Sequence, residues 1–310
     1  MTDSNSVLQF MSHTEQNIIK PILYLPDDEI NIKGILLIIH GMAEHQLRYS
    51  EFAKFISKGN WAVCSFDLPG HGSTAKDESQ LGFFAEQDSN IKVMADVNQI
   101  FSLLKARFPE KPLFVLGHSM GSLIARQFCA TTNQNVSGAV FSGTIAPNSL
   151  INLAVWLSER SIKKHGHYYR DESLDKLMHR GFSRLIPDSE TMFDWISKDK
   201  TVVRKYIDDP QCGYIFTSNG FYTLFTWIKQ VSDKKWAMAV PRDIPVYMFS
   251  GDHDPVGGFG RGVQKIHKWL VDSGHNVSLK LYPGGRHEML NEPEKNIVWQ
   301  DVLNWLNSNI

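Results

Sequence analysis

Residues 34–40 of the chain, Gly-Ile-Leu-Leu-Ile-Ile-His, contain five consecutive large apolar side chains and no polar one among them that could turn toward water. A strand built from such a run must be covered on both faces, which is the condition of a strand inside a parallel sheet flanked by helices. Runs of the same kind recur at 62–67, 112–116, 136–142, 244–249 and 277–282. Helix-period segments separate them, around 49–58, 91–108, 121–130, 262–270 and 296–306. This alternation predicts an α/β fold with a mostly parallel central sheet and helices on both sides. Between about 146 and 240 the rhythm stops, and helix-like segments rich in Trp, Tyr, Lys and Asp replace it. The expected organisation is therefore a discontinuous core, 1–145 with 241–310, interrupted by a helical insertion at 146–240.

Charge and composition remove several function classes. Lys and Arg number 32 against 33 acids, so no net positive field favours nucleic acid, and no basic run suggests an anionic-lipid anchor. The start of the chain, 1–9, lacks a basic region ahead of an apolar stretch and does not read as a secretory signal. No apolar run approaches transmembrane length. Cys64, Cys129 and Cys212 are odd in number and scattered, which fits a reducing compartment better than a disulfide framework. A cytoplasmic location is the expectation. With 310 residues, 42% of them hydrophobic, the chain can bury a large core and still carry the insertion.

The chemistry begins at Gly117-His118-Ser119-Met120-Gly121, placed between an expected strand and an expected helix. In that setting a Gly-x-Ser-x-Gly run makes a sharp elbow that lifts the serine hydroxyl into the open. A hydroxyl is a weak nucleophile without a base, and elbows of this kind take an acid and then a histidine from later in the chain. His267 falls inside a helix and His275 precedes a strand, whereas His287 sits in the loop Pro283-Gly284-Gly285-Arg286-His287-Glu288 that leaves a strand end. For the acid, Ser250-Gly251-Asp252-His253-Asp254 offers two carboxylates, of which Asp254 is preferred. An ionised carboxylate there would fix the imidazole tautomer and stabilise the imidazolium. Backbone N–H groups of Met120 and Met42 are the expected donors to an oxyanion. His40 to His45 lacks the spacing of a zinc-binding His-x-x-Glu-His helix, so no metal and no cofactor are expected.

Taken together, His40-Gly41-Met42-Ala43-Glu44-His45, Phe66-Asp67-Leu68-Pro69-Gly70-His71-Gly72-Ser73, the elbow, Gly251-Asp252-His253-Asp254-Pro255-Val256-Gly257 and Gly285-Arg286-His287-Glu288 resemble the monoacylglycerol lipase and lysophospholipase branch of the α/β-hydrolases, also described as serine aminopeptidase-like. Phe193-Asp194-Trp195-Ile196-Ser197 and Asp209-Pro210-Gln211-Cys212-Gly213 extend the resemblance into the insertion. It implies Ser119 as nucleophile, Asp254 as acid, His287 as base, Met42 and Met120 as oxyanion donors, and the insertion as a helical cap over the site. It also implies an ester of one acyl chain as substrate, a monoacylglycerol or a lysophospholipid. Rival readings are a short-chain carboxylesterase and a peptidase whose substrate ammonium would be held by Asp194, Asp199, Asp208 or Asp209.

Other conspicuous residues have plainer readings. Asp67 and His71 are expected to tie a turn together, and Arg286 to pair with a nearby carboxylate. Residues 150–157, Leu-Ile-Asn-Leu-Ala-Val-Trp-Leu, are either buried cap core or a lipid-facing lid that makes transient contact with a membrane surface.

Overall fold

The expected α/β rhythm is present in the computed structural model, which describes residues 8–310 apart from residues 16, 180 and 188. The strands are β1 Phe10–Met11, β2 Ile18–Ile19, β3 Ile22–Tyr24, β4 Gly34–Ile39, β5 Trp61–Phe66, β6 Leu113–His118, β7 Gly138–Ser142, β8 Val246–Gly251 and β9 Val277–Tyr282. The helices are α1 Ser50–Lys58, α2 Ser89–Arg107, α3 Met120–Thr131, α4 Ile151–His165, α5 Glu172–Met178, α6 Lys200–Asp208, α7 Ser218–Gln230, α8 Lys234–Ala239, α9 Arg261–Asp272 and α10 Lys295–Asn307. Seven strands form one sheet in the order β3-β5-β4-β6-β7-β8-β9. All neighbours are parallel except β3, which runs antiparallel to β5. At three residues β3 is too short to announce itself in sequence, and the reading above did not contain it.

Burial follows strand position. Every residue of β4 to β8 is buried, while the edge strand β9 alternates between half-buried and exposed positions up to Tyr282. Within β4, Ile35, Leu37 and Ile39 join one core and Leu36 and Ile38 the other, as a two-residue period requires. Helices α2, α3 and α9 cover the first face, and α1 and α10 cover the second.

The stretch expected as an insertion is helical and falls into two parts. Helices α7 and α8 lie against α3, and the Trp236 indole donates to the Arg126 carbonyl at 2.7 Å. Arg126 is itself 1% exposed, its guanidinium 4.3 Å over the Trp236 ring and donating to the Val231 carbonyl. Burial brings that guanidinium down to about 9. Residues 218–239 are thus continuous with the helical layer of the core. Helices α4 to α6 with their linking segments form the remainder, and they reach across to the loops at the C-terminal ends of the strands.

Candidate active site

Ser119 lies between β6 and α3 with φ 51° and ψ −117°, a conformation that costs an L-residue about 1–3 kcal/mol. The surroundings enforce it. The Ser119 N–H donates to the Ser142 carbonyl at 2.9 Å, and the Ser119 carbonyl accepts from the Ser122 N–H and hydroxyl. Helix α3 can follow the elbow only because residue 121 is glycine: a Cβ there would stand 2.1 Å from the Ile39 carbonyl oxygen. Ser119 lines a cavity of about 250 Å³ together with Met42, Met120 and His287.

The loops after β8 and β9 supply a buried acid–imidazole pair. His287 Nδ1 lies 3.0 Å from Asp254 Oδ2, with His287 2% exposed and Asp254 fully buried. Asp254 also accepts from the Ser250 hydroxyl and the Val256 N–H, so its rotamer is fixed. The two loops meet closely enough that a Cβ at Gly251 would stand 1.9 Å from the Gly285 carbonyl oxygen. Burial disfavours the His287 imidazolium, yet the Asp254 charge and hydrogen bond outweigh it, and the net effect holds the imidazole above its ordinary value. Asp252 is spent elsewhere, accepting from His253 and from the Gly284 N–H. His267 sits on α9, and His275 bonds the Ala237 carbonyl.

Opposite the pair, the loop after β4 carries Met42. Among the described residues neither the Met42 nor the Met120 N–H has an acceptor in the chain, and Met120 opens α3, where the helix dipole is positive. The loop is held by Glu44, which accepts from the Gly41 N–H at 2.5 Å and from the Tyr49 hydroxyl at 2.7 Å. Arg48 then joins this loop to that of His287, bonding Glu44 at 2.7 Å and forking onto both Glu288 oxygens at 2.6 and 2.7 Å. Burial favours a neutral Glu44, but Arg48 overrides it and the carboxyl is held down at about 2. Sequence reading passed over Arg48. Its place four residues after Glu44 is the helical spacing of an ion pair, a signal that was available.

The helical segment adds a third wall. The Trp195 ring sits 5.1 Å from that of His287 and the His118 ring 4.8 Å away on another side. Burial and the neighbouring His287 push His118 down to about 4, so it stays neutral beside the pair. Backbone bonds tie segment to loop: the His287 N–H donates to the Trp195 carbonyl and the Glu288 N–H to that of Ile196. Arg286 reaches the carbonyls of Asp194 and Ser197 at 2.6 and 3.0 Å, rather than the carboxylate expected from sequence. The reason is tertiary, since the chain turn at 194–197 aims two carbonyls at one guanidinium. Asp67 accepts from Gln46 and Ser73, and His71 Nδ1 faces the Pro69 carbonyl, so both fasten turns as expected.

The cavity is walled largely by apolar side chains, Met178, Phe182, Met192, Phe193, Leu224 and Val256 among them, with Asp175 and His179, paired at 3.1 Å, also on its lining. Asp194, Asp199, Asp208 and Asp209 lie outside its lining and are bonded to Thr191, to the α6 N-terminus, to Arg204 and to His45. Residues 150–157 prove two-sided: Ile151 and Ala154 are buried, while Leu153 and Trp156 are 52% and 51% exposed. Among the described residues no helix is long and apolar enough to cross a membrane.

Comparison with known proteins agrees with this geometry. The chain is 26% identical to a monoacylglycerol lipase of Mycolicibacterium smegmatis over 282 residues, covering 90% of this chain and 89% of that protein. It is 25% identical to the monoglyceride lipase of Rattus norvegicus, covering 90% and 84%. A thermostable carboxyl esterase from Bacillus coagulans, solved in complex with glycerol, superposes with a TM-score of 0.91 at 29% identity, covering 97% of both chains. Since residues 30–294 match the family described as serine aminopeptidase, S33, the chain belongs to that family of α/β-hydrolases, among the ester hydrolases of its monoacylglycerol lipase and lysophospholipase branch.

Proposed function

We propose that the protein hydrolyses carboxylic esters of a single acyl chain, a monoacylglycerol or lysophospholipid, through a Ser119–His287–Asp254 triad and an acyl-enzyme. Ser119 Oγ attacks the ester carbonyl while His287 takes its proton, and Asp254 stabilises the imidazolium. The N–H groups of Met42 and Met120 receive the oxyanion, which they can do without first giving up another acceptor. His287 then returns the proton to the leaving alcohol, and water, activated by His287, releases the acid and restores Ser119. The observation that carries this reading is the buried Asp254–His287 pair opening with Ser119 onto one apolar cavity.

The single-chain substrate rests on that cavity. At about 250 Å³ it lies just below the roughly 300–1,000 Å³ of most ligand sites, and its lining is largely apolar. Names of relatives point the same way. Asp194, Asp199, Asp208 and Asp209 lie outside the lining, and Asp175, which does line the cavity, is already paired with His179 at 3.1 Å, which favours an ester over an amino-terminal peptide. Of the expected insertion 146–240, helices α4 to α6 and their linking segments act in this reading as a cap, with Leu153 and Trp156 as its membrane-touching face.

The test is a panel of monoacylglycerols, lysophospholipids, short aryl esters and aminoacyl amides, assayed with the native protein and Ser119→Ala. Expected is hydrolysis of the single-chain esters by the native protein and labelling by a fluorophosphonate that Ser119→Ala abolishes. Cleavage of the amides alone would overturn the ester reading, and full activity in Ser119→Ala would overturn the nucleophile. Membrane contact is checked separately: Trp156→Glu should weaken co-sedimentation with lipid vesicles while leaving hydrolysis of a soluble ester intact.

A further inference from the structure

Next to the loop that carries Met42, three metal-binding side chains converge that the sequence holds far apart. His45 lies at the end of that loop, and Asp209 and Cys212 lie on one tight turn after α6, closed by the Cys212 N–H on the Asp209 carbonyl at 2.9 Å. One donor atom from each of the three residues lies within 4.8 Å of the other two. His45 Nε2 and Asp209 Oδ2 are already 2.9 Å apart. In a tetrahedral zinc site with bonds of about 2.0–2.3 Å the donor atoms stand roughly 3.3–3.6 Å apart, so side-chain rotations of about 1 Å close this one.

We infer that His45, Asp209 and Cys212 form a binding site for a thiophilic divalent cation of the zinc class, whose occupation slows the esterase by displacing the Met42 loop. Nitrogen, carboxylate oxygen and thiolate are the donors that zinc takes, with water as fourth ligand, and the two-residue gap between Asp209 and Cys212 is a common ligand spacing. Asp209, with 32% of its side chain accessible, gives a way in, while His45 and Cys212 are buried. The His45 ring is lightly held. Its Nδ1 is buried and, among the described residues, has no partner, so only the bond to Asp209 must be given up.

Of the charged groups near Cys212, Glu44 and Glu288 are paired with Arg48, while Asp209 is bonded to the His45 ring. Burial raises the Cys212 thiol well above its ordinary value, with Arg48 acting against it and Glu44, Asp209 and Glu288 acting with it, so the metal-free site holds S–H. Binding therefore forms the S–metal bond and sends one proton to solvent, with no change of oxidation state.

The link to activity is short, and it rests on the reading of Met42 as an oxyanion donor. Glu44, which holds the Gly41 N–H, directly precedes His45, and Ala43 between Met42 and Glu44 accepts from the Gly213 N–H and the Tyr206 hydroxyl, each at 3.0 Å. Drawing His45 toward Cys212 pulls on both ends of this short segment.

The full chain, freed of metal with a chelator and kept reduced, is titrated with Cd²⁺ for the ultraviolet sulfur-to-cadmium band and, in parallel, with Zn²⁺ in the ester assay. Expected is one equivalent of Cd²⁺ per chain, no band in Cys212→Ser, and about tenfold or more weaker binding in Asp209→Asn. Zinc should inhibit the native protein and leave Cys212→Ser at its own metal-free rate. A band that survives in Cys212→Ser, or no band at all, overturns the site; a band without inhibition overturns the regulation. A band in a protein that hydrolyses no ester would instead overturn the proposed function and leave the site standing.

Discussion

The elbow wall and the helical wall of the cavity are built by different physics. Ser119 is set by strand ends, by a glycine with no room for a side chain and by backbone hydrogen bonds beside the wholly buried strands β6 and β7. The wall from α5 to α6 instead reaches the His287 loop through a handful of polar contacts, chiefly Arg286 on two carbonyls and the backbone of Trp195 and Ile196. A catalytic geometry must be held rigidly, whereas a surface that admits and releases a substrate is drawn from less tightly packed parts of a fold. Substitutions on the first wall should therefore abolish chemistry or folding, and those on the second should redistribute substrate preference.

The largest effect is expected from Ser119→Ala, which should cut kcat by about 10⁴-fold or more with the fold intact by circular dichroism. An active variant would remove the elbow from its side of the comparison. Gly121→Ala should come next in harm, since its Cβ would meet a backbone oxygen that cannot swing aside. A loss of about 3 kcal/mol in urea unfolding is expected, and a neutral result would show that the strand–helix contact is looser than described. Arg48→Met strands Glu44 and Glu288 as buried carboxylates and should likewise cost about 3 kcal/mol. Here the stability loss should come with a fall in kcat, because both clamped loops bear on Ser119.

Smaller and more selective effects belong to the helical wall. Arg286→Met leaves two carbonyls without a donor and should raise KM for long-chain esters by roughly threefold to tenfold, with short esters little changed. Equal effects on both chain lengths would place Arg286 with the rigid wall instead. The subtlest test is the pH profile of kcat/KM. His287 must be neutral to accept the Ser119 proton, and it is held above the ordinary imidazole value of about 6.5, so activity should fall with an acidic limb above that pH. A limb below it would mean that burial outweighs Asp254.

How much of this was legible beforehand divides along the same line. The buried strands were, because runs such as Ile35-Leu36-Leu37-Ile38-Ile39 leave no polar face, and residues 277–282 were read to the residue. The three-residue β3 was not, being too short to carry a period. Sequence preferred Asp254 over Asp252, and the fold gives the physical reason, one acid half-buried on the Gly284 N–H and the other sealed against His287. The plain expectation for Asp67 and His71 held, whereas the partner of Arg286 did not, since a carbonyl leaves no mark in sequence.

Sequence by itself determined the sheet, the elbow at Ser119 and the loops on which an acid and a histidine could follow, because these rest on short-range periodicity and on residue types with few substitutes. The tertiary structure alone decided what surrounds them. Trp195 against His287, Arg48 on Glu288, and His45 beside Cys212 join residues that lie far apart in the chain, and such contacts depend on how helices settle on a sheet, which no local pattern encodes.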